Sequence, residues 1–203
     1  DVISGGAGDD TILAGAGDDT VRVLSGLDTI SGGDGVDRIE AEADGVTLQW
    51  NRTNPGAAAS SVIVTGIETI ATAGHSGFAI TGTDQIDQLD FSAITFEGVV
   101  PVHGLGGQDS ITGSGGADEF HGGDGNDQIL GQGGIDLLFG DGGDDLLSGG
   151  AAADLLHGGQ GNDLFVVGDF SLTADFEGTE LASAGDTDGF AARIGAGGAL
   201  VWA

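Results

Sequence analysis

The sequence predicts an all-β fold, a right-handed parallel β-solenoid with 18-residue coils in which two regular blocks are joined by irregular coils. Three observations predict it. An Asp recurs every nine residues, glycines crowd the residues before it, and a large apolar residue stands two positions after it. The recurring residues are Asp1, Asp10, Asp19, Asp28 and Asp37 in the first block and Asp109, Asp118, Asp127, Asp136, Asp145, Asp154 and Asp163 in the second.

Each nonapeptide combines a turn with a short strand. The clearest copy begins at Gly122 and reads Gly-Gly-Asp-Gly-Asn-Asp-Gln-Ile-Leu. Its first six residues suit a turn, because Gly adopts positive φ without steric cost and Asn and Asp hydrogen-bond to their own backbone. In the strand, side-chain alternation points Ile129 to one side and its neighbours to the other. Two nonapeptides therefore make one coil, with the apolar residues packed between two parallel sheets.

The two repeat blocks cover residues 1–40 and 104–166 and are separated by residues 41–103, which lack the nonapeptide. Residues 66–70 (Gly-Ile-Glu-Thr-Ile) and 82–86 (Gly-Thr-Asp-Gln-Ile) nevertheless resemble part of the repeat, each ending on its apolar position. We therefore expect larger, irregular coils that continue the sheets. An independent globular insert is the alternative.

Three further segments lie outside the repeats. Residues 51–60 are predicted to form a protruding loop around Pro55. Residues 167–203 are predicted to cap the last coil through strands at 169–170 and 192–203 and through Trp202. Because the chain opens within a repeat and carries no signal peptide, we expect further repeats upstream.

The chain is strongly acidic. It carries 33 Asp and Glu against four Arg and no Lys, a formal net charge of −29, and it has no Cys. This charge repels nucleic acid and anionic lipid, so neither is an expected partner. No apolar run approaches the roughly 20 residues of a membrane span, so no membrane insertion is expected. Because 39% of the residues are hydrophobic and the acids are spaced apart, we expect a chain that folds once cations neutralise its carboxylates.

The Asp residues of alternate repeats are predicted to stack on the same edge of the solenoid, about 4.8 Å apart. Unshielded carboxylates at that spacing repel each other, and the glycine-rich turns leave carbonyl oxygens without strand partners. Ca²⁺ accepts about six to eight such oxygens in flexible geometry. Mg²⁺ fits less well, and Zn²⁺ requires Cys or His. Turn capping without metal is the alternative.

The repeats resemble the β-roll of RTX (repeats-in-toxin) proteins, which Gram-negative bacteria secrete through type I systems. The resemblance covers residues 1–40 and 104–166, and it implies that each ion lies between two stacked turns. The implied ligands are backbone carbonyls of the turns and the Asp at position six of the nonapeptide. The resemblance therefore implies these metal-site residues: Gly6, Gly8, Asp10, Gly15, Gly17, Asp19, Asp28, Gly33, Gly35, Asp37, Gly104, Gly107, Asp109, Gly113, Gly116, Asp118, Gly122, Gly123, Gly125, Asp127, Gly131, Gly134, Asp136, Gly140, Asp141, Gly143, Asp145, Gly149, Gly150, Asp154, Gly158, Gly159, Gly161 and Asp163.

Pairs of Asp residues on the same edge give the expected number of ions. The pairs are 109/127, 127/145, 145/163, 118/136 and 136/154 in the second block and 1/19, 10/28 and 19/37 in the first, so about eight Ca²⁺ are expected. The 10/28 and 136/154 pairs depart from the pattern, because residues 23–28 lack the leading glycines and Ala152 stands where Gly is expected.

The resemblance implies a calcium-binding structural module of a secreted or surface-attached protein of a Gram-negative bacterium. Such a module folds on Ca²⁺ binding outside the cell. We expect it to be part of a surface-layer or adhesin-type protein. The alternative is the C-terminal folding and secretion module of an enzyme or toxin whose catalytic domain lies upstream. A carbohydrate-binding module is least favoured, since only 5% of the residues are aromatic.

We expect no catalysis in this segment. The His-Glu-x-x-His motif of zinc proteases is absent from the sequence. Residues 74–77 (Gly-His-Ser-Gly) resemble the beginning of a nucleophile elbow but continue with Phe78 instead of Gly.

An apolar stripe is predicted on the outer face of the second block. Leu137, Phe139 and Leu155 flank the inward residues of stacked strands and should therefore point away from the core. We expect this apolar stripe to be covered by residues 167–203 or by a partner molecule, either a second copy of the chain or another protein.

Overall fold

The computed structural model describes residues 1–50, 64–167, 174–176, 179–181, 190–195 and 199–201, the last four ranges as backbone strands. Within these residues every regular element is a β-strand, and the strands stack as a parallel β-solenoid of about eight turns. The predicted all-β solenoid is therefore confirmed. In this part of the chain there is no helix that could span a membrane.

Two sheets form the N-terminal part of the solenoid. The first contains, in hydrogen-bonded order, β1 (Val2–Ala7), β3 (Thr20–Ser25), β5 (Arg38–Ala41), β8 (Thr69–Ala71) and β11 (Thr95–Glu97). The second contains β2 (Thr11–Ala16), β4 (Thr29–Asp34) and β7 (Val64–Thr65). Consecutive strands of the first block alternate between the two sheets, as a coil of turn, strand, turn and strand requires.

Two further sheets form the C-terminal part. One contains β6 (Thr47–Gln49), β9 (Ala79–Thr81), β12 (Val102–Gly106), β14 (Glu119–Asp124), β16 (Leu137–Gly142) and β18 (Leu155–Gln160). The other contains β10 (Gln88–Asp90), β13 (Ser110–Thr112), β15 (Gln128–Leu130), β17 (Leu146–Ser148), β19 (Asp163–Val167), β22 (Phe190–Gly195) and β23 (Ala199–Val201). A separate antiparallel pair is formed by β20 (Ala174–Phe176) and β21 (Thr179–Leu181).

The register of the parallel pairs shows where the coils are regular. In the repeat blocks paired residues lie 18 apart in sequence, as Ile129 and Leu147 do. In the middle the separation widens, to 31 residues between Ile39 and Ile70. Residues 64–103 therefore form larger, irregular coils that continue the sheets, as predicted, and are not an independent insert.

The core is a continuous stack of the apolar residues that follow the position-six Asp by two positions. Each of the following is at most 5% exposed: Ile12, Val21, Ile30, Ile39, Ile111, Phe120, Ile129, Leu138, Leu147 and Phe165. The wider middle coils need more volume, which Trp50, Phe78 and Phe91 supply. The Phe91 ring lies 5.2 Å from that of Trp50, centroid to centroid. Burial of each such side chain stabilises the fold by about 1.5–3 kcal/mol.

One of the two repeat-like stretches of the middle was placed wrongly by the sequence pattern. The pattern put Ile86 at the inward apolar position, but Ile86 is 57% exposed. Leu89, which is 1% exposed and pairs with Ile111, takes the inward position instead. The apolar position of the other stretch, Ile70, is fully buried as predicted.

The parallel stack ends at β19. Strand β22 pairs with β19 in the antiparallel direction, β23 continues this sheet, and β20 lies beside β18. The strand predicted at 192–203 is thus present in part as β22 and β23. The predicted strand at 169–170, Trp202 and the predicted loop at 51–60 lie outside the described residues.

Candidate metal sites

The carboxylates of the position-six Asp residues are hydrogen-bonded from coil to coil. Each Oδ1 accepts a bond of 2.8–3.1 Å from the backbone N–H of the equivalent Asp one coil earlier. The pairs, donor first, are Asp10–Asp28, Asp19–Asp37, Asp87–Asp109, Asp109–Asp127, Asp118–Asp136, Asp127–Asp145, Asp136–Asp154 and Asp145–Asp163. Asp37 donates in the same way to Oε2 of Glu68 at 2.8 Å. We call this arrangement the carboxylate ladder.

The second oxygen of most ladder carboxylates is buried without a hydrogen-bond partner. Among the described residues this holds for Oδ2 of Asp10, Asp19, Asp37, Asp109, Asp127, Asp136 and Asp145. Burying a carboxylate oxygen without a partner costs free energy. These orphaned oxygens therefore mark the places where a bound cation would stabilise the fold.

The position-one glycines bring a carbonyl oxygen beside the orphaned carboxylate oxygen. A Cβ on Gly122 would lie within 3.0 Å of both Oδ2 of Asp127 and the carbonyl oxygen of Gly140 in the next coil. The equivalent pairs of oxygens surround Gly104 and Gly131. Two acceptor oxygens thus converge on a space that only glycine leaves free.

Positions two and four direct further carbonyl oxygens at the next coil. Gly123 (φ 107°) lies against the carbonyl of Leu105, and Gly125 (φ 140°) lies against the carbonyl of Gly107. The left-handed φ persists at position two even where the residue is not glycine. It is 81°, 75° and 71° at Leu105, Gln132 and Asp141. Because this conformation costs a non-glycine residue about 1–3 kcal/mol, the stacked fold maintains the turn against local preference.

The described arginines do not neutralise the ladder. Arg22 and Arg38 both pair with Glu40, and Arg38 also pairs with Glu97. The terminal ammonium group of Asp1 lies 2.6 Å from Oδ1 of Asp19. The side chains of the ladder are therefore acidic and lie close together, and neither Arg22 nor Arg38 forms an ion pair with a position-six Asp.

Burial raises the pKa of ladder carboxylates. It raises the pKa of Asp109 to about 6 and the pKa values of Asp136 and Asp145 to about 7. The ladder hydrogen bond opposes this shift, and the neighbouring ladder carboxylates add to it. The metal-free fold thus disfavours the charged form of these groups, and a bound cation would reverse that preference.

The donor chemistry fits Ca²⁺. Carboxylate and backbone carbonyl oxygens converge in the turns, and Ca²⁺ accepts both. Within the described residues, no three His, Cys, Asp or Glu side chains form a cluster that could hold a metal by themselves. A zinc-type site is therefore not indicated. The residues that could hold one ion between two stacked turns are Gly122, Gly123, Gly125 and Asp127 with Gly140, Asp141, Gly143 and Asp145.

A family model agrees with this geometry. The model of the RTX calcium-binding nonapeptide repeat matches four times, at residues 1–26, 14–48, 102–129 and 130–165. The chain belongs to the RTX family. The matches span more than half of the chain, which is therefore a calcium-binding repeat module of a type typical of secreted Gram-negative proteins. A search of curated proteins found no significant match.

The two RTX turns that depart from the sequence pattern differ from each other in the structure. In the Asp154 turn, Ala152 at position four has a φ of 86°, so it adopts the left-handed conformation that glycine adopts elsewhere. In the Asp28 turn, position two is Leu24, whose φ is not positive. The Asp154 turn therefore retains the backbone conformation of the other RTX turns, although Ala152 is strained in it. The Asp28 turn has a different backbone conformation at position two.

Two members of the ladder, Asp87 and Glu68, were not predicted from the repeat. Asp87 donates to an Asp that follows 22 residues later, and Glu68 accepts from Asp37 across 31 residues. A strict nine-residue count finds neither. The local pattern contains both, because each acid stands two positions before a buried apolar residue, Leu89 or Ile70.

A second ladder at position five of the RTX repeat was also missed. Side-chain oxygens of Asp or Asn accept the backbone N–H of the position-five residue one coil later, at 2.8–3.0 Å. The pairs, donor first, are Leu27–Asp9, Val36–Asp18, Asp144–Asn126 and Asn162–Asp144. These exposed bonds join the coils without using the position-six carboxylates.

Proposed function

We propose that this chain is a calcium-driven folding module of a secreted or surface-attached protein of a Gram-negative bacterium. In the cytosol, where free calcium is scarce, the module stays unfolded, and calcium outside the cell folds it. The observation that carries the proposal is the set of orphaned Oδ2 atoms on buried ladder carboxylates. The RTX repeats are the second support.

Calcium-free folding is unfavourable for three physical reasons. It buries carboxylates without a counter-charge, holds them about 4.8 Å apart, and orders glycine-rich turns, whose glycines lose more backbone entropy than other residues. Ca²⁺ removes the first two obstacles by binding the orphaned oxygens and neutralising the repulsion. Its binding free energy then becomes folding free energy. Extracellular calcium modules have Kd values of about 10⁻⁴–10⁻³ M, so millimolar calcium is sufficient.

We propose one ion for each orphaned Oδ2 atom, which gives seven ions against the eight expected from Asp pairs. Six of the expected pairs begin at an orphaned atom: 10/28, 19/37, 109/127, 127/145, 136/154 and 145/163. The seventh orphaned atom belongs to Asp37, whose next coil carries Glu68, and it supports an additional 37/68 site.

A calcium titration followed by far-UV circular dichroism tests the folding switch. We expect a cooperative change from coil to β-structure when Ca²⁺ is added to chelated protein, and no such change with Mg²⁺ at the same concentration. A chain that already shows the full β-signal in chelator would contradict the proposal.

We also propose that the segment is a non-catalytic part of a surface-layer or adhesin-type protein. The Gly-His-Ser-Gly stretch supports a structural role, because Nδ1 of His75 and the backbone N–H of Ser76 both approach Oδ1 of Asp44, at 3.5 and 2.8 Å. The Ser76 side chain also bonds to Asp44. A catalytic relay would place the imidazole between the hydroxyl and the carboxylate.

Electron microscopy of the parent protein in calcium distinguishes the two kinds of parent. An ordered layer or filament supports the structural role. A compact particle with a hydrolytic domain upstream of the repeats contradicts it and favours the folding module of an enzyme or toxin.

We propose that the C-terminal tail, residues 167–203, covers the apolar stripe. Leu137 and Phe139 are half-buried, Leu155 is 48% exposed, and the Phe139 ring stacks on His121 at 4.4 Å. The position of β20 beside β18 supports coverage by the tail. Sedimentation of the wild type and of Leu155→Asp tests this. A monomer in both is expected, with lower stability in the variant, whereas a wild-type dimer that Leu155→Asp dissociates would contradict coverage by the tail.

A further inference from the structure

Two ladder carboxylates differ from the others because a hydroxyl residue closes their turn. Oδ2 of Asp118 accepts the backbone N–H of Ser114 at 2.8 Å, and the Ser114 hydroxyl donates to the same carboxylate, 3.0 Å from Oδ1 and 3.2 Å from Oδ2. Oδ2 of Asp87 accepts the backbone N–H of Thr83 at 2.6 Å and its hydroxyl at 2.9 Å. Asp118 and Asp87 are only 6% and 4% exposed, yet neither has an orphaned oxygen. We call these the closed turns.

The backbone of the closed turns differs as well. Ser114 and Thr83 stand at position two of the nonapeptide, and neither has a positive φ. In all seven turns with an orphaned Oδ2, position two is left-handed, with φ from 71° at Asp141 to 112° at Gly33. The conformation of position two therefore separates the two kinds of turn. In the closed turns, the conformation of position two points its own backbone N–H at the carboxylate of the position-six Asp.

We propose that the two closed turns bind no calcium, whereas the seven turns with an orphaned Oδ2 do. This inference rests on the proposed function, in which the orphaned oxygens bind the ions. In a closed turn, the backbone N–H already occupies a lone pair of Oδ2 and the hydroxyl donates to the same carboxylate, and the positive partial charge of these hydrogens repels a cation. Ser114 and Thr83 thus satisfy a buried carboxylate as calcium does elsewhere.

The two closed turns lie at equivalent places, each at the start of one of the two ladders that run through the second block, although the Asp87 turn itself belongs to the irregular middle. One ladder begins at Asp87 and continues through Asp109, and the other begins at Asp118 and continues through Asp136. Among the described residues no earlier ladder amide donates to Asp87 or Asp118. Asp87 and Asp118 are therefore the first members of their ladders. The hydrogen-bond donors to each carboxylate come from its own turn, Thr83 for Asp87 and Ser114 for Asp118. Each calcium ladder of this block then starts on a metal-free turn.

Native mass spectrometry of the full chain in Ca²⁺ tests this directly, because it counts bound ions. Asp118 and Asp136 are neighbours in one ladder and are both buried, at 6% and 1% exposed, so Asp118→Asn and Asp136→Asn are matched substitutions. We expect Asp118→Asn to keep the wild-type number of ions and Asp136→Asn to lose at least one. Loss of an ion in both variants would overturn the inference. Loss in neither would show that the ladder is not the calcium site, and the proposed function would fail with it.

Ser114→Gly tests the converse and leaves every carboxylate in place. Glycine removes the hydroxyl and makes the left-handed φ accessible at position two, so we expect one ion more than in the wild type. Ser114→Ala is the matched control. It also removes the hydroxyl but does not favour positive φ, so the wild-type number is expected. An unchanged count in folded Ser114→Gly would contradict closure of this turn by Ser114.

Discussion

The backbone amide of Asp127 donates a 2.8 Å hydrogen bond to Oδ1 of Asp145, the equivalent residue of the next coil. The other oxygen of the Asp145 carboxylate is buried and has no partner. One carboxylate therefore has two roles, because Oδ1 joins neighbouring coils and Oδ2 is left for a cation. This division explains why an RTX repeat requires Asp at position six, since an apolar residue could do neither.

Replacing one ladder carboxylate is expected to raise the calcium concentration needed for folding. Asp127→Asn keeps an acceptor oxygen for the ladder bond but removes the charge, so we expect a loss of about 1–3 kcal/mol in calcium. The calcium midpoint followed by circular dichroism should rise above that of the wild type, because more calcium is then needed to offset the loss. Asp124→Asn, at an exposed position of the same turn, is the control and should leave the midpoint unchanged. Equal midpoints for the two variants would contradict the ladder as the calcium site.

The free energy of unfolding is expected to depend on the inward apolar residues and not on the exposed ones. Ile129 is fully buried and Ile135 is 67% exposed, so Ile129→Ala and Ile135→Ala remove the same atoms from opposite environments. Unfolding by denaturant in saturating calcium should show a loss of about 2–5 kcal/mol for Ile129→Ala and a change within about 0.5 kcal/mol for Ile135→Ala. A similar loss in both would place the core elsewhere.

Glycine is expected to be essential only where the stacked turns require it. Gly125 has a φ of 140°, and a Cβ there would collide with the carbonyl of Gly107, whereas a Cβ on Gly115 would meet open space. Thermal unfolding in calcium should show Gly125→Ala destabilised by about 1–3 kcal/mol or more. Gly115→Ala should be neutral or stabilised by about 0.4–1 kcal/mol, because it restricts the unfolded chain. If Gly125→Ala matched the wild type, the close stacking of the turns would be wrong.

The calcium-free fold is expected to lose stability as pH rises. The pKa values of Asp109, Asp136 and Asp145, at about 6, 7 and 7, lie above the ordinary value of 3.8. The folded state therefore binds protons more tightly than the unfolded state. The resulting stabilisation is complete below about pH 4 and is lost as pH rises through about 6 to 7.

In chelated buffer the far-UV circular dichroism signal of β-structure should accordingly be largest at about pH 5 and fall towards the coil signal by about pH 8. With saturating Ca²⁺ the trend should reverse over the same range, because protons compete with the ion for the carboxylates. A calcium-free β-signal that rises with pH would contradict the buried state of these groups.

Sequence periodicity was sufficient to predict which strand residues pair wherever the coils contain 18 residues. Ile129 and Leu147 pair as the nine-residue count requires. In the middle, Leu89 faces the core and not Ile86, which the local Gly-x-acid-x-apolar pattern had favoured, because the coil from Asp87 to Asp109 contains 22 residues and does not follow the nine-residue repeat. Asp87 was missed for the same reason.

The sequence by itself determined the repeat, the direction of the apolar residues, the acidic turns and the preference for an oxygen-binding cation. These follow from local rules, namely side-chain alternation in strands, the conformational freedom of glycine and like-charge repulsion. Only the tertiary structure decided which carboxylate oxygens are left without a partner and which are satisfied by Ser114 or Thr83. Ser114 and Thr83 lie only four residues before the carboxylates that they satisfy, so the distinction depends on the φ of position two, which the stacking of the coils establishes and the local sequence does not encode.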